Sequence, residues 1–478
     1  MHPLARIDHR HVWHPFTQMR DWLRQEPIVL VSGRGATVRD VQGRQYLDAN
    51  SSIWTNLHGH RHPVLDAAVR RQLGRVAHTS FLGLTNAPAT ELAAALVQAA
   101  RPPRSAGALR LNKVFFSDDG STAVEVALKL AYEHARRSGQ SRKPRFLGLR
   151  GAYHGDTLGA TSVGHIDLFH ATYRGLLFPT DSVMAPYCYR CPYNRARPEA
   201  ADARSYRRCG WECVDQVARR FDRQKQRGSN YAGFIYEPRI QGAAGLVPQP
   251  EGWLGRVAEI ARSHGTQLIA DEVLTGFGRT GVGTARSAAR APFFAGQIEG
   301  VTPDYLCLAK GLTGGYLPLA ATLTHDAVFG SFLGEYGEFK TFFHGHSYTG
   351  NQLGAAVANA SLQLLRGADS FAARRQLEQL LTEELRSLWS LPWVGDVRQV
   401  GLVVGVELVQ DRATRAPFPL TVQAGIRVCA AMARRGVLTR PIGNVVALLP
   451  PYCTTPAQLR RMVHTLHEAI AETAALTP

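Results

Sequence analysis

Through the middle of the chain, short apolar runs alternate with longer amphipathic stretches. The runs Lys113–Phe116, Arg145–Leu149, Ala232–Tyr236, Gln267–Ala270, Tyr305–Ala309 and Leu319–Leu323 are too short for core helices. They show little alternation of polar and apolar positions, which predicts strands buried on both faces. Between several of them, Thr122–Arg137, Cys213–Gln226 and Leu254–Ser263 repeat apolar residues at helical spacing. Strands separated by such helices predict a largely parallel sheet covered on both sides. After about residue 350 the pattern changes. Gly350–Leu365 reads as a small-residue helix, Val394–Val409 as paired strands, Val422–Arg435 as a helix and Val445–Leu449 as a strand. The last helix opens at Thr455-Pro456-Ala457-Gln458, a capping box with proline at its first position.

This pattern predicts an α/β protein in three parts. Residues 1–65 form an arm and short strands, with turns at Ser32-Gly33 and Gln42-Gly43. Residues 66–349 form a large domain with a cysteine-bearing excursion at about 186–213, and residues 350–478 a smaller α+β domain. A chain of 478 residues exceeds what one simple core holds, in keeping with more than one lobe.

Charge changes the picture little. The formal net charge is +17, but the arginines are scattered, and the densest stretch runs only from Arg195 to Arg208. Without a basic module interleaved with aromatics, this is a solvated surface rather than a nucleic-acid interface. The first residues lack the apolar segment of a signal peptide, and no run approaches the ~20 apolar residues of a membrane span. A cytoplasmic protein without a membrane contact is expected.

Candidate chemistry centres on one residue. Only six lysines occur among the 55 Lys+Arg, and one of them, Lys310, ends the apolar run Tyr305–Ala309 and precedes glycines. Three further signals fall at strand ends of the same sheet, where open α/β folds bind ligands. In FFSDDGSTAVEVALKLA a strand runs into Gly120, Ser121 and Thr122 at a helix start, a setting that suits a phosphate or a plain N-cap. In LIADEVLTGFGRTG, Asp271 ends an apolar strand, where a carboxylate is costly without a cationic partner. In GAYHGDTLGATSVG, Tyr153 and His154 follow the strand Arg145–Leu149. The spelling Gly276-x-Gly278-x-x-Gly281 matches a dinucleotide fingerprint, but no phosphate-binding helix follows it, which excludes nicotinamide binding. A desolvated lysine, a carboxylate, an aromatic face and a phosphate cradle together are what pyridoxal 5′-phosphate requires.

The chain also resembles a known family, the class III aminotransferases of fold type I. The resemblance runs from HVWHPFTQM through NLHGHRHP, FFSDDGSTAVEVALK, GAYHGDTLGATSVG, DEVLTGFGRTG, LAKGLTGG and HGHSYTGNQLGAA to RPIGNVVALLPPY. It implies a large domain with a mainly parallel sheet and a smaller α+β domain. It implies that Lys310 carries the cofactor, that Asp271 pairs with its ring nitrogen, and that Tyr153 packs on its ring. Gly120 and Ser121 would bind the phosphate, with His346 and Ser347 reaching it from the neighbouring subunit of a homodimer. Phe16, Ile53, Trp54, Asp156, Arg279 and Gly345 would lie near substrate, and Arg440 would pair with a substrate carboxylate. Glu237 would order the network at the sheet end. The strings are most similar to the members that aminate 8-amino-7-oxononanoate with a small-molecule amino donor. The donor expected is lysine rather than S-adenosylmethionine, because Phe16 lacks a hydroxyl and Ile53 lacks a ring where users of the sulfonium have them. An ω-aminotransferase acting on ornithine, 4-aminobutyrate or β-alanine is the alternative, and a non-catalytic basic nucleic-acid-binding or regulatory protein on the same fold a remote one.

One segment fits none of these roles. Cys188-x2-Cys191 and Cys209-x3-Cys213 have the spacing of structural zinc ligands, against free cysteines in a folded excursion as the competing reading.

Overall fold

The computed structural model describes residues 1–102, 109–140 and 144–474. Its centre is a seven-stranded sheet. In chain order the strands are β1 (Lys113–Ser117), β2 (Arg145–Leu149), β3 (Asp181–Val183), β4 (Tyr231–Tyr236), β5 (Gln267–Asp271), β6 (Tyr305–Leu308) and β7 (Ala320–Thr324). In space they run β1-β7-β6-β5-β4-β2-β3. Neighbours from β6 to β3 pair in parallel, and only β7 is antiparallel to the strands beside it. Strands β4 to β7 are buried at every position, which is why they lack polar alternation. The predicted strands are all present, and β3, only three residues long, was too short to stand out.

The helices begin a residue or two earlier or later than their apolar periodicity suggests, because caps rather than packing set their ends. The helix after β1, α1, spans Gly120–Arg137. Asp119 caps it, accepting the Thr122 N–H at 2.9 Å, and Thr122 Oγ1 accepts the Asp119 N–H at 3.1 Å. The C-terminal helix Pro456–Ala474 carries the predicted capping box, with Thr455 N–H donating to Gln458 Oε1 (2.9 Å) and Gln458 N–H to Thr455 Oγ1 (3.2 Å).

A second sheet orders the strands Val394–Val400, Val403–Asp411, Val445–Leu448 and Pro441–Ile442, all antiparallel. The early strands Leu30–Arg34, Thr37–Asp40 and Gln45–Asp48 form a third sheet with Val437–Leu438, so both ends of the chain meet. Gly43 turns as expected (φ 84°), but Ser32-Gly33 lies inside the first strand, and Gly35 (φ 58°) makes that turn. Gly33 has a different purpose: a Cβ there would lie 2.9 Å from the His60 ring.

The excursion between β3 and β4 is held against the second sheet by buried charges. Arg398, fully buried, donates to Asp396 (3.0 Å), Glu407 (2.7 Å) and the carbonyls of Gly245 and Leu246. Glu407 also accepts from Arg190 Nε at 2.6 Å and from the Tyr187 hydroxyl. The zinc reading of the excursion finds no geometric support: among the described residues no group of three or more His, Cys, Asp or Glu side chains is placed to hold a metal ion. Arg207 donates to Cys209 Sγ at 3.0 Å, and burial pushes the thiols of Cys188 and Cys213 up to about 12 and about 11. Among the described residues no helix is long and apolar enough to cross a membrane.

Candidate active site

The carboxyl ends of β1, β2, β4, β5 and β6 open onto one cavity of about 730 Å³. Lys310 enters it directly after β6. Its backbone is left-handed (φ 40°), and Gly311 behind it permits close packing, since a Cβ would lie 2.9 Å from Leu57 Cδ1. The Lys310 ammonium faces the Trp54 ring, 4.7 Å from its centroid. Burial lowers its pKa, against the opposing pull of the Asp271 and Glu237 carboxylates. A lysine so placed is a better nucleophile than a solvated one.

Asp271, at the end of β5, is buried and doubly held. Its Oδ1 accepts the Val273 N–H at 3.0 Å, and its Oδ2 meets His154 Nδ1 at 2.7 Å. His154 Nε2 is buried without a partner among the described residues. Glu237 follows β4 and accepts from the backbone N–H of Gly242 (2.7 Å) and, more distantly, of Tyr153 (3.4 Å). Burial pushes Glu237 up to about 7, His154 opposing the rise and Asp271 adding to it. Glu272, next to Asp271, is also raised to about 7 by burial, but it points away and takes the N–H groups of Ala295 (2.6 Å) and Gly296 (2.8 Å).

Opposite Lys310, the first turn of α1 presents Gly120 and Ser121, whose N–H groups have no intrahelical acceptor. A Cβ on Gly120 would come within 2.7 Å of Val273 Cγ1, so glycine lets the helix start close on the strand end that carries Asp271. Ser121 Oγ bonds Thr157 Oγ1 at 2.8 Å and accepts the Thr157 N–H at 3.0 Å. The third wall is aromatic. Tyr153 donates its hydroxyl to Asp156 Oδ2 at 2.7 Å, and its ring lies 6.3 Å from Phe16 and 6.2 Å from Phe169, both edge-on.

Of the residues singled out from the sequence, Lys310, Asp271, Tyr153, Gly120, Ser121, Trp54, Asp156 and Glu237 line this one cavity. Phe16 and Ile53 are exposed, Phe16 beside the Tyr153 ring. Arg279, expected near substrate, is buried and outside the lining of this cavity. It donates to the Pro450 carbonyl (2.8 Å) and lies 5.0 Å from the Tyr452 ring centroid, with Nε and Nη2 unpartnered. Arg440 lies outside the lining as well, half-buried before the Pro441–Ile442 strand and without an ion pair among the described residues. Gly345, His346 and Ser347 are outside the lining too, in a loop near the mouth, where His346 Nε2 comes 3.8 Å from Asp118 and the Ser347 carbonyl accepts from His78 Nε2 (2.7 Å). Sequence reasoning passed over Thr157, Phe169 and the role of His154. Only the last carried a signal, a histidine directly after Tyr153.

A lysine at a strand end, a held carboxylate on the adjacent strand and a free helix start define a class of enzyme built to bind a phosphorylated carbonyl cofactor. A profile of the aminotransferase class-III family matches residues 19–470, and the chain belongs to that family. It is 47% identical over 463 residues to the adenosylmethionine-8-amino-7-oxononanoate aminotransferase of Geobacter sulfurreducens, covering 97% of this chain and 96% of that one. It is 42% identical to the protein of that name from Aquifex aeolicus, covering 98% and 97%. Among solved structures, the enzyme of the same name from Methanocaldococcus jannaschii superposes with a TM-score of 0.87 at 37% identity, covering 98% of both chains. An amine transaminase of an uncultivated Pseudomonas species, in its PLP-bound form, gives 0.84 at 32%, covering 96% and 98%.

Proposed function

We propose that this protein transfers an amino group to 8-amino-7-oxononanoate, giving 7,8-diaminononanoate for biotin synthesis, with pyridoxal 5′-phosphate as cofactor. The observation that carries the reading is Lys310, a cavity-facing amine of lowered pKa at the end of β6, opposite a free helix start and beside Asp271. The residues fit the cofactor. Gly120 leaves no Cβ between the helix start and Val273, and the donors opposite Lys310 are backbone N–H groups and a hydroxyl, the set that phosphate prefers. Lys310, Asp271, Gly120, Ser121 and Tyr153 would hold it. When bound, the cofactor supplies an electrophilic carbonyl and a ring that withdraws electrons from the carbon losing its proton.

The protein's own side chains do the rest. Lys310 would attack the cofactor's carbonyl as a neutral amine with loss of water and, once displaced by the donor's amine, would carry a proton from the donor carbon to the cofactor's carbonyl carbon. Asp271, held by His154 and the Val273 N–H, would pair with the ring nitrogen and keep a proton there. Tyr153 covers a ring face, and its bond to Asp156 fixes its tilt. Arg440 offers an unpaired fork of donors to the keto-acid carboxylate. His346 and Ser347 act across the interface of a homodimer.

For the amino donor, the names of the relatives favour S-adenosylmethionine. Lysine is the second reading, favoured by Phe16, which brings no hydroxyl at its position, and by Ile53, which brings no ring at its own. Single-turnover mixing with each donor separates the two, the faster conversion marking the donor. The functional reading is tested by assaying amino transfer to 8-amino-7-oxononanoate beside ornithine, 4-aminobutyrate and β-alanine; activity confined to the latter three would overturn it. In the same assay Arg440→Ala should weaken keto-acid binding by ~1.5–3 kcal/mol and leave the donor half-reaction unchanged.

A further inference from the structure

Four consecutive residues, none of them glycine, share left-handed backbone: Ser51 (φ 46°), Ser52 (47°), Ile53 (65°) and Trp54 (69°). In this conformation the Cβ of an L-residue crowds the following carbonyl, so proteins use it in single residues rather than in runs. A β-branched isoleucine is especially ill suited to it. Such a turn persists only where its surroundings over-determine it.

The surroundings here are specific. Asp48, buried at the end of the strand Gln45–Asp48, accepts the Ser52 N–H at 3.0 Å, the Ser52 hydroxyl at 2.7 Å and the Asn50 N–H at 3.3 Å. Its Oδ2 also meets His60 Nε2 at 3.2 Å. Ser51 Oγ donates to the Leu449 carbonyl (2.5 Å), and Trp54 Nε1 donates to Asn50 Oδ1 (2.9 Å). The turn brings the Trp54 ring to Lys310 and to Gly242, where a Cβ would lie 3.1 Å from Trp54 Cζ3. Gly242 is the residue whose N–H bonds Glu237. Two backbone bonds tie the same segment to the surroundings of Arg440: Ala49 N–H to Leu438 O (2.9 Å), and Leu449 N–H to Ala49 O (2.8 Å) just past the strand Val445–Leu448, whose Ala447 N–H bonds the Arg440 carbonyl (3.2 Å).

We propose that Asp48 is a positioning residue whose carboxylate locks the Ser51–Trp54 turn in its left-handed form, and that the locked turn sets the aromatic wall against Lys310 and its spacing from Arg440. A right-handed turn would send the Trp54 and Ile53 side chains in other directions and change the width of the substrate channel. The identity of the keto acid in this inference rests on the function proposed above; the locking of the turn does not.

The test is Asp48→Asn in the cofactor-loaded protein, which keeps the volume and one acceptor but loses the charge. KM for the keto acid should rise about tenfold while kcat falls less than about threefold. Hydrogen exchange of the peptide covering residues 49–56 should speed up with the melting temperature unchanged. Ser52→Gly removes most of the left-handed penalty at that position. In that background Asp48→Asn should raise KM by no more than about twofold. Unchanged KM and exchange in Asp48→Asn would overturn the proposal, as would a KM effect that Ser52→Gly does not diminish. Equal losses in kcat and kcat/KM with a lowered melting temperature would make Asp48 a merely structural residue. Exchange reads the turn whatever the acceptor, so a wild-type protein inactive on 8-amino-7-oxononanoate would sink the functional reading and leave this one open to measurement.

Discussion

Two clusters of buried charge in this protein have opposite characters. Around Arg398 most of the charge is compensated: its guanidinium meets two carboxylates and two carbonyls, and Glu407 is shared with Arg190 and Tyr187, while burial pushes Asp396, whose Oδ1 has no partner among the described residues, up to about 6. These partners raise Arg398 further above its ordinary range and lower Glu407. Around Lys310 the charges are left short of partners. Lys310 is lowered, Glu237 is pushed up to about 7, and His154 Nε2 has no partner among the described residues. Compensated charge is inert and holds two parts of the chain together; uncompensated charge is poised to change its proton.

That contrast can be broken from either side. Lys310→Ala should cost the most, lowering turnover by more than about 10⁴-fold while the far-ultraviolet spectrum and melting curve stay close to wild type. Residual turnover near wild type would remove Lys310 from the chemistry. Asp271→Asn should lower kcat by about 10²–10⁴-fold with little change in KM, because an amide cannot hold a proton on the ring nitrogen. A change confined to KM would contradict this role. In the other cluster, Arg398→Met should destabilise the fold by ~3–5 kcal/mol by stranding Asp396 and leaving Glu407 to Arg190 and Tyr187, with kcat of the folded protein preserved. Denaturant unfolding reads the first effect and steady-state kinetics the second; a stability unchanged by the substitution would show that cluster to be as loosely held as the cavity.

The smallest effect sharpens the comparison. Glu237 titrates near 7 in the folded chain, above its ordinary 4.5, so the folded state keeps a proton that the unfolded chain has released. Stability therefore falls as pH rises from about 4.5 to about 7 and levels off beyond. Glu272 contributes a second decline in the same window. Glu237→Gln should remove its share, leaving a shallower decline in the unfolding free energy measured between pH 5 and 7.5. An unchanged slope would mean that Glu237 is ionised throughout.

Much of the site was legible because its signals are local. A lysine after Leu306-Cys307-Leu308-Ala309, an aspartate after Leu268-Ile269-Ala270 and a glycine-serine helix start each show in a few residues, and parallel strands bring such ends to one edge. What escaped was decided by partners far away in sequence. His154 matters because it lies on Asp271, 117 positions on. The resemblance placed Arg279 near substrate, and its burial against the Pro450 carbonyl and the Tyr452 ring could not be read from the residues around it. Spacing made the four cysteines candidates for zinc, but among the described residues no group of three or more ligand side chains is placed to hold a metal ion.

By itself, then, the sequence determined the buried parallel strands, the caps that start the helices, and the order in which Gly120, Tyr153, Asp271 and Lys310 reach the sheet edge. Periodicity and capping depend on residues within a turn or two of one another. In the turn Ser51–Trp54, bonds from nearby residues are completed by one that only the tertiary structure supplies. Nothing in Ser-Ser-Ile-Trp favours left-handed backbone; Asp48, Asn50 and the Leu449 carbonyl hold it there, and Leu449 is 398 positions from Ser51.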